Sequence, residues 1–190
     1  MVTLKWTPLA IAAACAALWT GCCPREPVTP HPVAVGSGIY LDRTLFDRGR
    51  RDTIVALAAE AGLHWTREEF LWEGIEPEPG QYSESLLERH DARVVRLAAA
   101  GIQILGLLDY GVEWSTGGGA PSTDTQRADF ARYAAFMAER YRGVITHWEV
   151  WNEPNLGKFW RGTPDPEAYG LLLRATADAL RAVDPQIRVV

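Results

Sequence analysis

Four short apolar segments alternate with amphipathic helical segments, each helix closes on a glycine or proline that leads into the next segment, and the unit repeats about every forty residues. Together these features predict an α/β fold: the N-terminal half of a TIM (β/α)8 barrel, about four β-α units plus the start of strand five. Strands are expected at residues 33–41, 63–70, 102–109 and 144–151, where apolar and aromatic residues concentrate between turn signals. Gly62, Gly101 and Gly143 stand just before the second, third and fourth strands, at the point where a helix ends most easily on a residue that accepts a left-handed conformation. The last helix should open with Asp165 as N-cap and Pro166 at its first position, bury a stripe at Tyr169, Leu172, Leu173 and Thr176, and stop at Asp184-Pro185. The fifth strand then starts within residues 187–190. A closed barrel at this spacing needs roughly 320 residues. Residues 33–190 supply about half of that, so the chain is expected to stop near the middle of its fold. A doubly wound open sheet is the competing arrangement, disfavoured because neither G-x-G-x-x-G nor a Walker A loop is present.

The residues before this repeat read as an address and a tether. Lys5 precedes an apolar run at residues 9–19, too short to span a bilayer and suited to the hydrophobic region of a secretory signal. Leu18-Trp19-Thr20-Gly21-Cys22 resembles a bacterial lipobox with Cys22 as the lipidated residue; Trp19 departs from the pattern, which places the aliphatic residue three before the cysteine. Ordinary signal cleavage is the competing reading. Residues 1–22 are thus assigned to a signal peptide with a lipobox, 23–32 to a proline-rich tether and 33–190 to a partial barrel domain. Pro24, Pro27, Pro30 and Pro32 favour an extended tether of ~28 Å at about 3.1 Å per residue. The expected location is the bacterial cell envelope, anchored to the membrane if Cys22 is modified and otherwise periplasmic or secreted. Cys15, Cys22 and Cys23 all lie in the leader, so the folded region has neither a disulfide nor a thiolate metal site.

The formal net charge is −5 and Lys and Arg are scattered, which argues against a nucleic-acid groove or a polybasic membrane patch. Tryptophan is the unusual component, with eight in the chain. Trp65, Trp72, Trp114, Trp148, Trp151 and Trp160 fall in or just after candidate strands, where they serve either as core or as the aromatic walls of a cleft. His31, His64, His90 and His147 show no metal-ligand spacing, and His147 reads as a core histidine; no metal and no cofactor is expected. The absence of G-x-S-x-G leaves a serine-hydrolase elbow unsupported.

Two stretches carry chemistry. Trp151-Asn152-Glu153-Pro154-Asn155 places an amide and a carboxylate at the end of the fourth strand, closed by a proline. Thr66-Arg67-Glu68-Glu69-Phe70 closes the second strand, Trp72 and Ile75-Glu76-Pro77-Glu78-Pro79-Gly80-Gln81-Tyr82 follow it, and Phe159-Trp160 comes shortly after the fourth. In this context the chain resembles clan A of the retaining glycoside hydrolases, most nearly glycoside hydrolase family 39 with its xylosidase-like and exopolysaccharide-cleaving members. Asn-Glu-Pro alone is a weak signal; at the end of the fourth strand of a β-α repeat it is a specific one.

The resemblance implies a retaining O-glycoside hydrolase acting on a poly- or oligosaccharide. Such cleavage needs a proton on the leaving oxygen while positive charge grows at the anomeric carbon, so one carboxyl must be protonated and another ionised. Glu153 is implied as the general acid/base, Asn152 as a hydrogen-bonding partner of the sugar 2-OH, and Arg67 as the second-strand arginine that orients the nucleophile. The competing reading of Asn152 is a turn amide, and of Arg67 an ordinary ion-pair partner. Trp72, Trp114 and Trp160 are candidates for the sugar-binding wall, with core packing as the alternative. Neighbours on a regular strand face opposite sides, so Asn152 and Glu153 can serve one substrate only if the pleat breaks near Asn152. Gly117-Gly118-Gly119, after the third strand, reads as a mobile lid or a slack connection.

The family's nucleophile is carried by the seventh strand. Glu149 lies about 13 Å deeper than Glu153 along the strand, against about 5–5.5 Å between the carboxyls of a retaining pair, and is read as a buried structural carboxylate. Glu68, Glu69, Glu73 and Glu113 lie near the correct rim without matching that position. The chain alone is therefore expected to turn over little or no substrate and to expose strand edges. The alternative function is a non-catalytic carbohydrate-binding or scaffold lipoprotein that keeps the aromatic cleft without the full carboxylate pair.

Overall fold

The structure, a computed structural model, describes residues 34–41 and 48–190. The leader, Cys22, the tether, His31 and the start of the first expected strand lie outside the described residues. Strands β1 (Val35–Ser37), β2 (Leu63–Leu71), β3 (Gln103–Asp109), β4 (His147–Val150) and β5 (Arg188–Val189) form one parallel sheet. Their spatial order is their sequence order. Between them run helices α1 (Arg51–Glu60), α2 (Glu84–Ala99), α3 (Asp124–Arg140) and α4 (Pro166–Val183). A doubly wound sheet reverses its order at a switch point, and this one does not. Sequential order with right-handed crossovers stacks the helices on one face, which is the arrangement of a partial (β/α) barrel.

Strand limits differ from the expected ones where another acceptor captures the backbone. Expected at 33–41, β1 stops at Ser37: the Ile39 N–H donates to Thr66 Oγ1 at 3.1 Å and the Tyr40 N–H to Glu68 Oε1 at 3.2 Å. At the start of β3, the Ile102 N–H is taken by the Leu97 carbonyl at 3.0 Å, and ahead of β4 the Val144 and Ile145 N–H groups both return to Tyr141. β4 ends at Val150 because Trp151 turns left-handed, with φ +68°.

The expected punctuation is present. Gly62, Gly101 and Gly143 have φ of +77°, +74° and +74°. The Asp165 carboxylate caps α4 by accepting from the N–H groups of Glu167 and Ala168, both at 3.0 Å, and Pro166 follows as the first helical residue; such a cap contributes about 1 kcal/mol. Helix α3 opens with a reciprocal box between Thr123 and Gln126. Leu172 and Thr176 of the α4 stripe are fully buried and Tyr169 and Leu173 half-buried.

Along β2, Thr66, Glu68 and Phe70 are buried under the helices while Trp65, Arg67 and Glu69 are half-buried on the opposite face. The helix side is the core. There the Phe70 ring meets His90, Tyr141 and Trp148 at 5.1 to 5.5 Å. Trp148 reaches Phe70 across β3 only because Gly106 lies between, where a Cβ would stand 2.6 Å from the indole.

Two substitutions with nothing near the added methyl separate backbone strain from packing. Gly143→Ala should destabilise by about 1–2 kcal/mol, the cost of a left-handed L-residue. Gly170→Ala, inside α4, should stabilise by roughly 0.5–1 kcal/mol. Urea midpoints should move in opposite directions at unchanged slope.

Candidate active site

Strands β2, β3 and β4 each deliver the chain to a single helical turn at the carboxyl edge of the sheet: Trp72–Ile75, Glu113–Thr116 and Gly157–Trp160. Just below that edge, on the face away from the helices, Arg67 of β2 reaches over β3 to β4. Its Nε donates to Glu149 Oε2 at 2.7 Å, and its Nη2 donates to Glu149 Oε1 at 2.9 Å and to Asn152 Oδ1 at 2.9 Å. Asn152 Nδ2 in turn donates to the Tyr110 hydroxyl at 2.8 Å. A guanidinium only donates, so the amide must turn its oxygen to Arg67 and its nitrogen to Tyr110. One amide N–H is left without a partner among the described residues. The hydrogen bonds to Glu149 hold the Arg67 guanidinium protonated well above the usual arginine range, with burial opposing them.

Asn152 stands where the strand geometry breaks. Trp151 (φ +68°) and Glu153 (φ +47°) are both left-handed, a conformation that costs an L-residue about 1–2 kcal/mol. Non-glycine residues held this way concentrate at functional sites. Trp151 is held by its N–H to the Leu108 carbonyl at 2.9 Å, and its buried ring packs edge-on against Tyr110 and Trp160 at 5.5 and 5.7 Å. The pleat thus ends one residue before Asn152, which is the condition for Asn152 and Glu153 to serve one ligand. Glu153 itself is exposed.

Around this array opens a cavity of about 700 Å³, lined by Tyr40, Arg67, Glu69, Leu71, Glu73, Gly74, Tyr110, Asn152, Phe159 and Arg161. The Tyr110 and Phe159 rings lie nearly parallel, 15° apart in tilt with centroids 6.1 Å apart. Burial raises the Tyr110 hydroxyl above the ordinary phenol value, and the Asn152 hydrogen bond works against it. Glu153 borders this cavity through its neighbour without lining it.

The three tryptophans expected to form a sugar wall do not line it. Trp72 is fully buried, stacks on Tyr133 at 5.6 Å and gives its Nε1–H to Glu76 Oε2 at 2.7 Å. Trp114 is half-buried, gives its Nε1–H to the Glu76 carbonyl at 3.0 Å and meets Trp72 edge-on. Trp160 is 6% exposed and packed against Trp151 and Tyr169. All three follow strands, but the helical turns rotate them inward to the core. Tyr40, Tyr110 and Phe159 take the lining positions. Phe159 was within reach of sequence reasoning as the neighbour of Trp160, and Tyr110 as the residue that directly follows β3.

Other expectations resolve similarly. Glu149 is structural but only partly buried, its side chain 22% exposed. Glu68 points to the helices, fully buried and paired with Arg93 Nη1 at 3.3 Å, whereas Glu69 and Glu73 line the cavity. His147 lies half-buried on the cavity face, edge-on to Trp65 at 4.7 Å, rather than in the core. The Gly117-Gly118-Gly119 segment is pinned to the loop after β4, with the Ala120 N–H donating to the Trp160 carbonyl at 3.3 Å. Among the described residues no cluster of His, Cys, Asp or Glu could hold a metal ion, and no helix is long and apolar enough to cross a membrane.

Tyr40 reaches the cavity from a buried polar knot. Glu68 Oε1 accepts from Thr66 Oγ1 at 2.7 Å as well as from the Tyr40 N–H, and Arg93 donates to the Glu69 carbonyl at 3.0 Å and to His90 Nδ1 at 2.8 Å. A guanidinium donor requires an unprotonated His90 Nδ1. Burial first, then the Arg93 charge, pulls the imidazole from 6.5 down to about 3.

A sequential parallel sheet with its cavity at the carboxyl edge defines a partial (β/α) barrel whose functional residues stand on strand-to-helix loops. The family model for cellulase (glycosyl hydrolase family 5) matches residues 40–190, and the chain belongs to this clan A family. No match was found among curated proteins. Among solved structures, the chain is similar to a family 39 glycoside hydrolase from the gut symbiont Bacteroides cellulosilyticus WH2 at 24% identity and TM-score 0.66, over 84% of this chain and 31% of that one. It is also similar to the exo-β-1,4-mannosidase of Opitutaceae bacterium strain TAV5 at 16% identity and TM-score 0.68, over 83% and 31%. A β-glucosidase from Thermotoga maritima follows at 20% and 0.60, over 74% and 36%. These likenesses establish the fold, and the chain spans about a third of the length of each relative. The expected place in the clan is thus supported, while the matching family model is that of family 5 rather than family 39.

With its folded-state value depressed, His90 takes up a proton more readily when unfolded. Its contribution to stability is therefore complete above about pH 6.5 and is lost as pH falls toward 3. Wild type and His90→Gln should differ in stability by an amount that changes with pH over this window, by up to ~1.4 kcal/mol per unit. A difference independent of pH in urea melts would refute a buried neutral imidazole.

Proposed function

We propose that this chain forms part of a retaining O-glycoside hydrolase acting on a poly- or oligosaccharide, with Glu153 as general acid/base. The observation that carries the reading is the fixed array Glu149–Arg67–Asn152–Tyr110, which presents one unpartnered amide N–H beside Glu153 at the carboxyl edge of a glycosyl hydrolase family barrel. That N–H is suited to a sugar 2-OH, an interaction that strengthens as the oxocarbenium ion develops. Tyr110 and Phe159 offer an apolar platform for the ring. Glu153 would hand its proton to the leaving oxygen. Arg67 would hold Asn152 in register, its charge already balanced by Glu149. Within the clan we place the chain beside family 39, on the motif run from Thr66 to Tyr82 and from Trp148 to Trp160.

The family's nucleophile stands on a seventh strand, and the described sheet has five. Residues 1–190 alone are accordingly proposed to turn over little substrate. One observation favours the second reading, a non-catalytic carbohydrate-binding lipoprotein: the cavity is lined by Asn152 and Phe159 but not by Glu153.

Hydrolysis of a panel of aryl glycosides and polysaccharides, measured on the longest polypeptide of the reading frame that contains Val190, separates the two. Glu153→Gln should lower kcat about 10²–10⁴-fold, and least for substrates with acidic leaving groups. An unchanged rate removes Glu153 from the role, and binding without any turnover supports the second reading.

For location, we propose export and lipidation at Cys22. Mass spectrometry of the mature N-terminus should find a diacylglyceryl cysteine at that position, and an unmodified N-terminus would replace the anchor with simple secretion.

A further inference from the structure

We propose that Arg161 makes this cavity selective for saccharides bearing a carboxylate, of the uronic-acid type, over their neutral counterparts. The inference rests on the saccharide reading of the site and adds a substrate class to it.

Arg161 closes the turn Gly157–Trp160 in a left-handed conformation, φ +57° and ψ +53°, where asparagine or glycine fits at lower cost. Its guanidinium has a built seat: at Gly118 a Cβ would stand 2.7 Å from Arg161 Nη1. The bond from Ala120 to the Trp160 carbonyl ties the glycine loop and the Arg161 turn together.

Among the described residues the Arg161 side chain has no hydrogen bond or ion pair, while its backbone N–H donates to the Gly157 carbonyl. Glu113 borders the same seat, its Oε2 3.6 Å from the Gly118 Cβ position, without pairing with Arg161. The other cavity cation, Arg67, is consumed by Glu149 and Asn152. Lys158, outside the cavity lining, lies 5.0 Å from the Phe159 ring. Of the charged side chains that line the cavity, Arg67, Glu69 and Glu73 come from β2 and the turn after it and Arg161 from the turn after β4, and the two strands stand about 9–10 Å apart across β3. A planar fork of N–H donors beside an aromatic platform fits a carboxylated sugar: ring on Phe159 and Tyr110, carboxylate on the guanidinium in a bidentate pair. Sugar hydroxyls, being neutral, gain far less from the same fork.

The test is titration calorimetry of this chain with a glucuronic-acid-containing oligosaccharide and with the same oligosaccharide after carboxyl reduction. At low salt the acidic form should bind about tenfold more tightly. That ratio should shrink several-fold at about 0.5 M salt. Arg161→Gln should bring it close to one, and Arg161→Lys should keep part of it. Equal binding of the two sugars, or a preference that survives both Arg161→Gln and high salt, overturns the selectivity and leaves the saccharide reading standing. Binding of neither overturns both. If the glutamine variant loses its circular dichroism signal, the salt dependence and the lysine variant decide.

Discussion

The site depends on one guanidinium. Arg67 spans from β2 to β4 above Leu105 and Leu107, satisfies both oxygens of a partly buried carboxylate, and spends a further N–H on the Asn152 amide. A charge-assisted, bidentate contact of this kind is stronger and more directional than a neutral one. Partial exposure limits its worth to stability, the side chains of Arg67 and Glu149 being 28% and 22% exposed. Its contribution is orientation: it selects one sense of the amide and binds together two strands that do not touch.

The rim is positioned from the helix side as much as from the cavity side. Glu68, turned away from the cavity, holds the backbone that carries Tyr40. Glu76, fully buried, accepts from the Trp72 indole and from the Gly80 N–H at 2.8 Å, while its carbonyl receives the Trp114 indole. Two inward carboxylates thus set the loops after β1 and β2. Each is tied to its neighbours by several donors, the condition under which a buried charge is tolerated. Glu68, a rim carboxylate by its place in the sequence, and Glu76 are both fasteners on the helix side.

The framework was legible because its signals are local. A left-handed glycine at a helix end and an aspartate ahead of Pro166 report backbone geometry that depends on few distant contacts. Strand ends were less legible because they are settled at long range: nothing near Ile39 and Tyr40 reveals that Thr66 and Glu68, nearly thirty residues on, will take their N–H groups. The pleat break at Asn152 could be anticipated from Pro154 and from the need to aim two side chains at one ligand. Which aromatic residues face the cavity could not. Beyond a strand end the alternation of faces lapses, and a single helical turn decides whether Trp72 or Phe159 meets the open side. Composition promised tryptophan, and packing supplied tyrosine and phenylalanine.

The near-parallel rings of Tyr110 and Phe159 have a consequence of their own. A pyranose sandwiched between two aromatic faces needs about 7–8 Å from ring to ring, two van der Waals contacts deep, and the pair offers 6.1 Å. For the proposed saccharide the pair would therefore act as a shelf under one face of the ring and not as a clamp on both.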